Sequence, residues 1–409
     1  MANVLHVLAQ RPGLTGSGVT LHALAAEIER AGWQQHVVCA APVSEPVALI
    51  PGVAAERVHA LGFGGPDLPF DVPGMSDVMP YPSTVFSAMS PLQWAAYERA
   101  WRTHLARALE ASRPDVIHSH HVWFVSALLR ELAPDVPLVV HCHATGLRQL
   151  ARAAPALADR VRAGCRGADA FVVLHEGHVA ELAAGLGVPR ERAHIVGAGF
   201  SPERLQAHER GTEPGSILYV GKIAEAKGVG ALLSAAELLA GRGVPFRLHV
   251  VGGGAGEEAS RLRARMAELA PHVVAHGRMD DDALAARMRR TQVFTLPSFY
   301  EGLPLVLVEA RAAGCHLVAS DLPGVRALGA SLSESLTTVS MPRVEVDVPH
   351  PDDLPAFTAR LADALEAALM APEKPPSAEE LAPFTWPRVF ARIEGVWGAA
   401  RGSRRTARP

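Results

Sequence analysis

The chain has 409 residues, enough for two domains of ordinary size. Apolar residues make up 49% and charged residues 20%, which excludes the disordered class. Lys plus Arg number 39 against 42 for Asp plus Glu, a net charge of −3 that removes the electrostatic reason to expect nucleic acid as a partner. No apolar run approaches the roughly 20 residues of a membrane span, so stable membrane insertion is not expected. The opening Met1-Ala2-Asn3-Val4-Leu5-His6-Val7 reads as a strand with no basic leader. Cys39, Cys142, Cys165 and Cys315 are scattered without CxxC spacing, which predicts a reduced, cytoplasmic setting.

In chain order, Val4 to Ala9 is a short apolar run, followed by a glycine-rich loop and a helical stretch from about Val19 to Ala31. His36 to Ala40 is the next apolar run, and Val116 to His118, Leu138 to His141 and Ala170 to Leu174 repeat the pattern, each of these three followed by a helix-like segment. Short apolar strands alternating with amphipathic helices imply a parallel sheet covered on both faces. From Gly62 to Pro91 the rhythm breaks into a proline-rich segment with aromatics. Loops of that length inside a domain are more often functional than idle, and Phe70, Tyr81, Phe86 and Trp94 make it a candidate acceptor lid.

The polar stretch Ala207 to Gly215 reads as a linker. A second alternating set follows, with strands at Ser216 to Val220, Phe246 to Val251, His272 to Ala275, Val293 to Leu296 and His316 to Ala319. The chain from Asp352 onward reads as helices. The predicted division is an N-terminal domain over 1–206, a second domain over 216–384, and a final helix and tail over 385–409. Two such sheets predict a ligand cleft at the carboxyl ends of their strands.

The most informative segment is Leu296-Pro297-Ser298-Phe299-Tyr300-Glu301-Gly302-Leu303-Pro304, continuing as Leu305-Val306-Leu307-Val308-Glu309. A strand ends at Leu296, and Pro304 suits the first position of a helix reaching about Gly314. Gly302 and Leu303 then fall where free N–H groups attract negative charge. Glu301 in the loop and Glu309 on the helix could hold sugar hydroxyls or offset oxocarbenium-like charge. In Gly221-Lys222-Ile223-Ala224-Glu225-Ala226-Lys227-Gly228, Lys222 and Lys227 could neutralise a departing diphosphate. Lys227 near a helix start opposes the dipole unless an anion lies there.

These two segments, with Val251-Gly252-Gly253-Gly254 and His276-Gly277-Arg278-Met279, stand in an order that resembles the GT-B glycosyltransferases of family 4 type. The resemblance covers nearly the whole chain and is strongest from about Ser216 to Gly324. It implies an α/β fold of two Rossmann-like domains with an interdomain cleft and a C-terminal helix, begun at Trp386, that crosses back to the first domain. It implies retaining transfer of a sugar from a nucleotide diphosphate sugar. Carried over residue by residue, Glu309 would bind the donor ribose. Glu301 with the Gly302 and Leu303 backbone would hold the donor sugar, and Lys222 and Lys227 would grip the diphosphate. The family more often has Arg where Lys222 stands, which exchanges a bidentate grip for a point charge.

Gly13-Leu14-Thr15-Gly16-Ser17-Gly18 matches the family's glycine loop, placing Gly16 and Ser17 near the donor phosphates and the acceptor. Read alone it could be a dinucleotide loop, but GxGxxG is absent and no acidic residue ends the next strand at Cys39-Ala40-Ala41. His118, His120 and His121 end one strand, and His141 and His143 the next. HxH pairs are common zinc ligands, but no complete ligand set is apparent. The resemblance instead implies that His143 contacts the donor sugar near the reacting carbon, without cofactor or divalent metal. Glu301 and Lys227 complete the expected catalytic set. His118, His120 and Arg148 are expected on the acceptor side. The absence of a basic amphipathic helix near the N-terminus points to a small soluble acceptor. A nucleotide-sugar 2-epimerase, a phosphorylase on this architecture, and a non-catalytic nucleotide-sugar-binding protein are the alternatives.

Overall fold

The structure is a computed structural model that describes residues 2–77, 79–143, 145–202, 205, 211–332, 334–345 and 347–406. The chain divides into two compact units, Met1–Gly199 with Trp386–Pro409, and Phe200–Thr385. Residues 207–210 of the expected linker lie outside the described residues.

The first unit runs β1 (Asn3–Leu8), α1 (Gly16–Arg30), β2 (Gln34–Pro42), β3 (Val58–Phe63), the short pair β4 (Pro73–Gly74) and β5 (Thr84–Val85), then α2 (Pro91–Ser112). It continues with β6 (Val116–His120), α3 (Phe124–Leu132), β7 (Leu138–His141), α4 (Thr145–Arg152), α5 (Pro155–Arg166), β8 (Ala170–Val173), α6 (Glu176–Leu186) and β9 (Ala193–Ile195). Seven strands form one parallel sheet in the order β3-β2-β1-β6-β7-β8-β9. Strand alternation sends Leu5, Val7, Ile117, Val140 and Phe171 to a core shared with Tyr97, Trp101 and Leu105 of α2. Val4, Val116, Val139 and Val172 go to the other face. Helix α2 starts sharply because Ser90 and Gln93 form a reciprocal cap with Pro91 at the first turn.

The second unit runs β10 (Ser216–Val220), a 3-10 turn (Glu225–Lys227), α7 (Val229–Gly241), β11 (Arg247–Val251), α8 (Gly256–Glu268), β12 (Val273–Gly277) and α9 (Asp281–Arg289). There follow β13 (Val293–Leu296), α10 (Leu305–Ala312), β14 (His316–Ser320), α11 (Pro323–Leu332), β15 (Leu336–Val339), α12 (Leu354–Met370) and α13 (Ala378–Leu381). Its six parallel strands are ordered β12-β11-β10-β13-β14-β15. Arg311 of α10 is only 2% exposed. Its guanidinium donates to Glu380 Oε1 at 2.8 Å and to the Lys374 and Pro375 carbonyls at 2.6 and 2.9 Å, tying α10 to the segment before and within α13.

The last helix, α14 (Trp386–Thr406), belongs to the first unit. Trp386, Val389, Phe390, Ile393, Val396, Trp397 and Ala400 recur at helical spacing and pack with Leu24 and Ile28 of α1 over the sheet face that carries Val4 and Val139. Burying one such side chain is worth about 1.5–3 kcal/mol, so the stripe alone accounts for this docking.

Both sheets reverse their strand order at one place, beside β1 in the first unit and beside β10 in the second. Loops leaving neighbouring strands at such a point diverge and open a crevice. The loops there are those after β1 and β6, and those after β10 and β13. Three local details differ from the sequence expectation. Pro304 caps α10 instead of occupying its first turn, so Gly302 and Leu303 precede the helix. Leu68, Phe70, Val72, Met75 and Phe86 of the proline-rich segment are buried in the first core, so its apolar side chains anchor it. Strands β3, β9 and β15 extend the sheets beyond the strands read from apolar runs.

Candidate active site

In the second unit, the Tyr219 hydroxyl donates to the Lys222 carbonyl at 2.8 Å and bends the loop after β10. The amides of Gly221 and Ile223 donate to the carbonyls of Val251 and Gly253, which ties that loop to the glycine triplet after β11. Gly228 closes the 3-10 turn at φ +69°, where a Cβ would stand 2.0 Å from the Pro297 carbonyl oxygen. Only glycine admits that approach. The Phe299 amide donates to the Ala226 carbonyl at 3.0 Å, so the lysine turn and the loop after β13 form one backbone-stitched body.

That stitching brings Lys227 Nζ to 2.8 Å from Glu301 Oε1 and 3.3 Å from the Tyr300 carbonyl. The lysine side chain is 30% exposed and the glutamate 18%. The anion that Lys227 requires at its turn is therefore supplied within the chain by Glu301. Lys222 is exposed and no described residue pairs with its ammonium. The start of α11 braces the same loop, since a Cβ on Gly324 would lie 1.8 Å from the Gly302 carbonyl oxygen.

Glu309 projects from the first turns of α10, half-buried. Burial, reinforced by the charge of Asp281, raises its carboxyl above the ordinary glutamate value. Among the described residues no cation pairs with it. A carboxyl in that state is set up to receive hydroxyl donors from a ligand.

In the first unit, Thr15 caps α1 by accepting from the Gly18 amide at 3.2 Å. Gly16 is exposed, with open space where a side chain would be, whereas Ser17 is buried and donates to Gln10 Oε1 at 3.2 Å. Gln10 Oε1 also accepts from His121 Nε2 at 3.0 Å, and His121 Nδ1 accepts from the Thr145 hydroxyl at 3.2 Å. This polar chain joins the loops after β1, β6 and β7. His121 holds φ +74°, a left-handed backbone rare for a non-glycine residue. Neither Gln10 nor His121 was among the expected site residues. The only signal for Gln10 was a polar residue directly after an apolar strand.

His143 lies beyond the end of β7, stacked on His141 with centroids 4.1 Å apart, and its Nε2 is 3.0 Å from His120 Nδ1. Desolvation holds both His143 and His120 well below the ordinary imidazole value, so both rings are neutral. His118, expected on the acceptor side, is instead fully buried under α14, where its Nδ1 accepts from Trp397 Nε1 at 3.0 Å. The reason is strand alternation, which turns residue 118 to the face that α14 covers. Arg148 on α4 is half-buried, and its charge acts on Glu181 of α6.

The ring nitrogens of His6, His118 and His120, and those of His120, His141 and His143, form two sets lying within 4.8 Å. The spacing suits a cation, but the hydrogen bonding does not. An indole N–H only donates, so His118 Nδ1 carries no proton and its Nε2–H donates to His141 Nδ1 at 3.2 Å. The remaining proton of His141 is then on Nε2. Each set thus contains a ring with no available lone pair.

The paired doubly wound sheets, with lysines and carboxylates at the strand-order reversal of the second, define a two-Rossmann transferase architecture. Residues 201–331 match the family described as Glycosyl transferases group 1, and residues 15–199 the family described as Glycosyl transferase 4-like domain. The glycogen synthase of Mycobacterium tuberculosis strain H37Rv is 28% identical over 308 residues, covering 73% of this chain and 72% of that protein. The D-inositol 3-phosphate glycosyltransferase of Jonesia denitrificans is 30% identical over 243 residues, covering 52% and 56%. The structure of sucrose-phosphate synthase from Thermosynechococcus elongatus superposes with a TM-score of 0.66 at 16% identity, covering 98% of this chain and 100% of that one. The chain belongs to the GT-B glycosyltransferases of family 4 type, and it is a transferase enzyme.

Among the described residues no helix is long and apolar enough to cross a membrane. The four cysteines are buried, and none is in a disulfide.

Proposed function

We propose that this glycosyltransferase moves a sugar, with retention of configuration, from a nucleotide diphosphate sugar to a small soluble acceptor. Lys222 and Lys227 neutralise the departing diphosphate, and the amides of Gly302 and Leu303 assist. Glu301 holds the donor sugar, Glu309 accepts from the ribose hydroxyls, and His143 contacts the sugar near the reacting carbon. Gly16 and Ser17 form the loop that approaches the phosphates, Arg148 serves the acceptor, and His120, expected there too but buried on the face of His118, acts through its hydrogen bond to His143. His120 and His143 are neutral and share one hydrogen bond between Nδ1 and Nε2, which leaves His143 Nδ1 for a ligand hydroxyl. No metal is required, because the lysines supply the positive charge at the leaving group.

The observation that supports this reading best is Glu309, a half-buried carboxyl with a raised pKa and no cationic partner among the described residues. Left without a ligand, such a group is costly to keep; hydroxyl donors relieve the cost. Two relatives, a glycogen synthase and a D-inositol 3-phosphate glycosyltransferase, favour a hydroxyl-bearing carbohydrate or cyclitol as acceptor.

A thermal-shift panel of UDP, GDP, ADP and their sugars tests the reading directly. One base series should raise the melting temperature, and Glu309→Ala should remove that rise together with turnover. Retained donor affinity and transfer in Glu309→Ala would sink the role of Glu309. Incubation of the donor without acceptor separates the epimerase reading, which needs no second substrate.

A further inference from the structure

The buried histidine layer of the first unit has a property that the transferase reading does not use. His6, His118, His120 and His141 line one face of the sheet, brought together by the β1–β6 and β6–β7 registers, which pair His6 with His118 and His120 with His141. All four are buried. Both ring nitrogens of His6, and Nε2 of His120, have no hydrogen-bond partner among the described residues. His6 is therefore free to present either nitrogen, and His120 presents its Nε2 lone pair in the tautomer whose Nδ1–H donates to His143 Nε2. The missing element of a three-imidazole site is a third lone pair, and the structure shows what withholds it.

Trp397 Nε1 lies 3.0 Å from His118 Nδ1, and His118 Nε2 lies 3.2 Å from His141 Nδ1. Because the indole can only donate, the direction of both hydrogen bonds follows. His118 has its Nδ1 lone pair engaged and its Nε2 protonated, and the same holds for His141. We propose that Trp397 locks the layer in a tautomer that bars first-row divalent cations from a latent three-histidine site, and that loss of its N–H opens that site. With the donor gone, the His118 proton can move to Nδ1. The Nε2 lone pair, no longer donating to His141 Nδ1, then joins those of His6 and His120 as the His141 ring turns its own Nδ1 lone pair away. Nitrogens within 4.8 Å can close onto a tetrahedral ion, whose ligand atoms stand about 3.3 Å apart, by small ring rotations. An all-imidazole set selects zinc, cobalt, nickel or copper over magnesium or calcium.

The lock leaves His143, stacked on His141 and hydrogen-bonded to His120, available for an organic ligand instead of a metal.

The test compares the full chain with Trp397→Phe, which keeps a ring of similar shape, and with Trp397→Phe/His120→Ala, which removes the ring shared by both triads. Each is dialysed against zinc for elemental analysis and titrated with cobalt(II) while its visible ligand-field bands are recorded. The original chain should retain essentially no metal, Trp397→Phe about one equivalent with tetrahedral cobalt bands, and the double variant none. Metal uptake by the original chain that depends on His120, or no uptake by folded Trp397→Phe, overturns the proposal. Imidazole nitrogen NMR of the original chain gives a second reading that needs no variant. A proton on His118 Nε2 supports the lock, and a proton on Nδ1 refutes it.

Discussion

Lys227 Nζ and Glu301 Oε1, 74 positions apart in sequence, meet at 2.8 Å where the turn after β10 crosses the loop after β13. The pair balances charge in the ligand-free protein and presents both groups at one place. On donor binding the lysine is expected to turn to the diphosphate while the carboxylate turns to the sugar. Lys227→Ala removes the cation and leaves Glu301 to repel the diphosphate. Its expected cost is about 10²–10³-fold in kcat/KM for the donor, the range for losing one group that stabilises developing charge. Glu301→Gln should cost less in donor affinity than in kcat. The double variant should fall short of the summed effects, because the two side chains touch. Steady-state kinetics on the four-member cycle checks this, and additivity would show that the pair does not act as a unit.

Glu309 gives a pH prediction with a definite sign. Burial, then Asp281, raises its carboxyl in the free protein. A ribose hydroxyl that donates to the carboxylate favours the ionised form and lowers the value on binding. Donor binding in the mildly acidic range should therefore release a proton and strengthen as pH rises through it. Calorimetry in buffers of different ionisation enthalpy reads the release. Glu309→Gln should abolish it and flatten the pH dependence, whereas proton uptake on binding would contradict the ribose assignment. The same raised value means that this group's contribution to stability is greatest at acid pH and is lost as pH rises past the ordinary glutamate value into the raised one.

Much of the fold was legible because parallel strands buried on both faces read as apolar runs: Leu138–His141, Ser216–Val220 and Val293–Leu296 fall where the pattern puts them. The sheet edges were not. β15 reads Leu336-Thr337-Thr338-Val339, neither an apolar run nor an alternation, and β9 has three residues, too few to carry a period. The placement of Glu301 after a strand and of Glu309 on the next helix was legible because their spacing is local to one strand-loop-helix. His118 was not, because its surroundings are set by Trp397, 279 positions later, and adjacency to a strand end cannot tell the covered face from the open one. Gln10 and His121 escaped for a related reason, since their pairing joins loops 111 positions apart.

The loop that carries Glu301 owes its position to a glycine on another element. A Cβ on Gly324 would stand 1.8 Å from the Gly302 carbonyl oxygen, a backbone atom that cannot swing aside as a side-chain tip can. Gly324→Ala must push the loop or the start of α11 by more than an ångström. Donor affinity should fall at least 10-fold, since such a misplacement costs as much as 10²-fold in rate. The melting temperature should drop by only a few degrees, as the core beneath is unchanged. Gly302→Ala is the steric control, with open space at its Cβ position, and should fold as the original chain does. Equal melting losses in the two variants would remove the steric argument.

Stability of the second unit should depend unequally on two ion pairs that lie near each other in sequence. Arg311 is 2% exposed and makes three hydrogen bonds, to Glu380 Oε1 and to the Lys374 and Pro375 carbonyls. Lys374 pairs with Glu334 at the surface, where both side chains are largely solvated. Removing one partner of a buried pair strands the other charge and two carbonyls, at about 3–5 kcal/mol, while an exposed pair contributes about 0–1 kcal/mol. Arg311→Ala should therefore lower the denaturant midpoint strongly and Glu334→Gln barely. Arg311→Lys should recover little, because an ammonium cannot reach three acceptors in the planar geometry of a guanidinium. Full recovery by lysine would mean that charge alone, and not the fork of hydrogen bonds, holds α10 against the segment before α13.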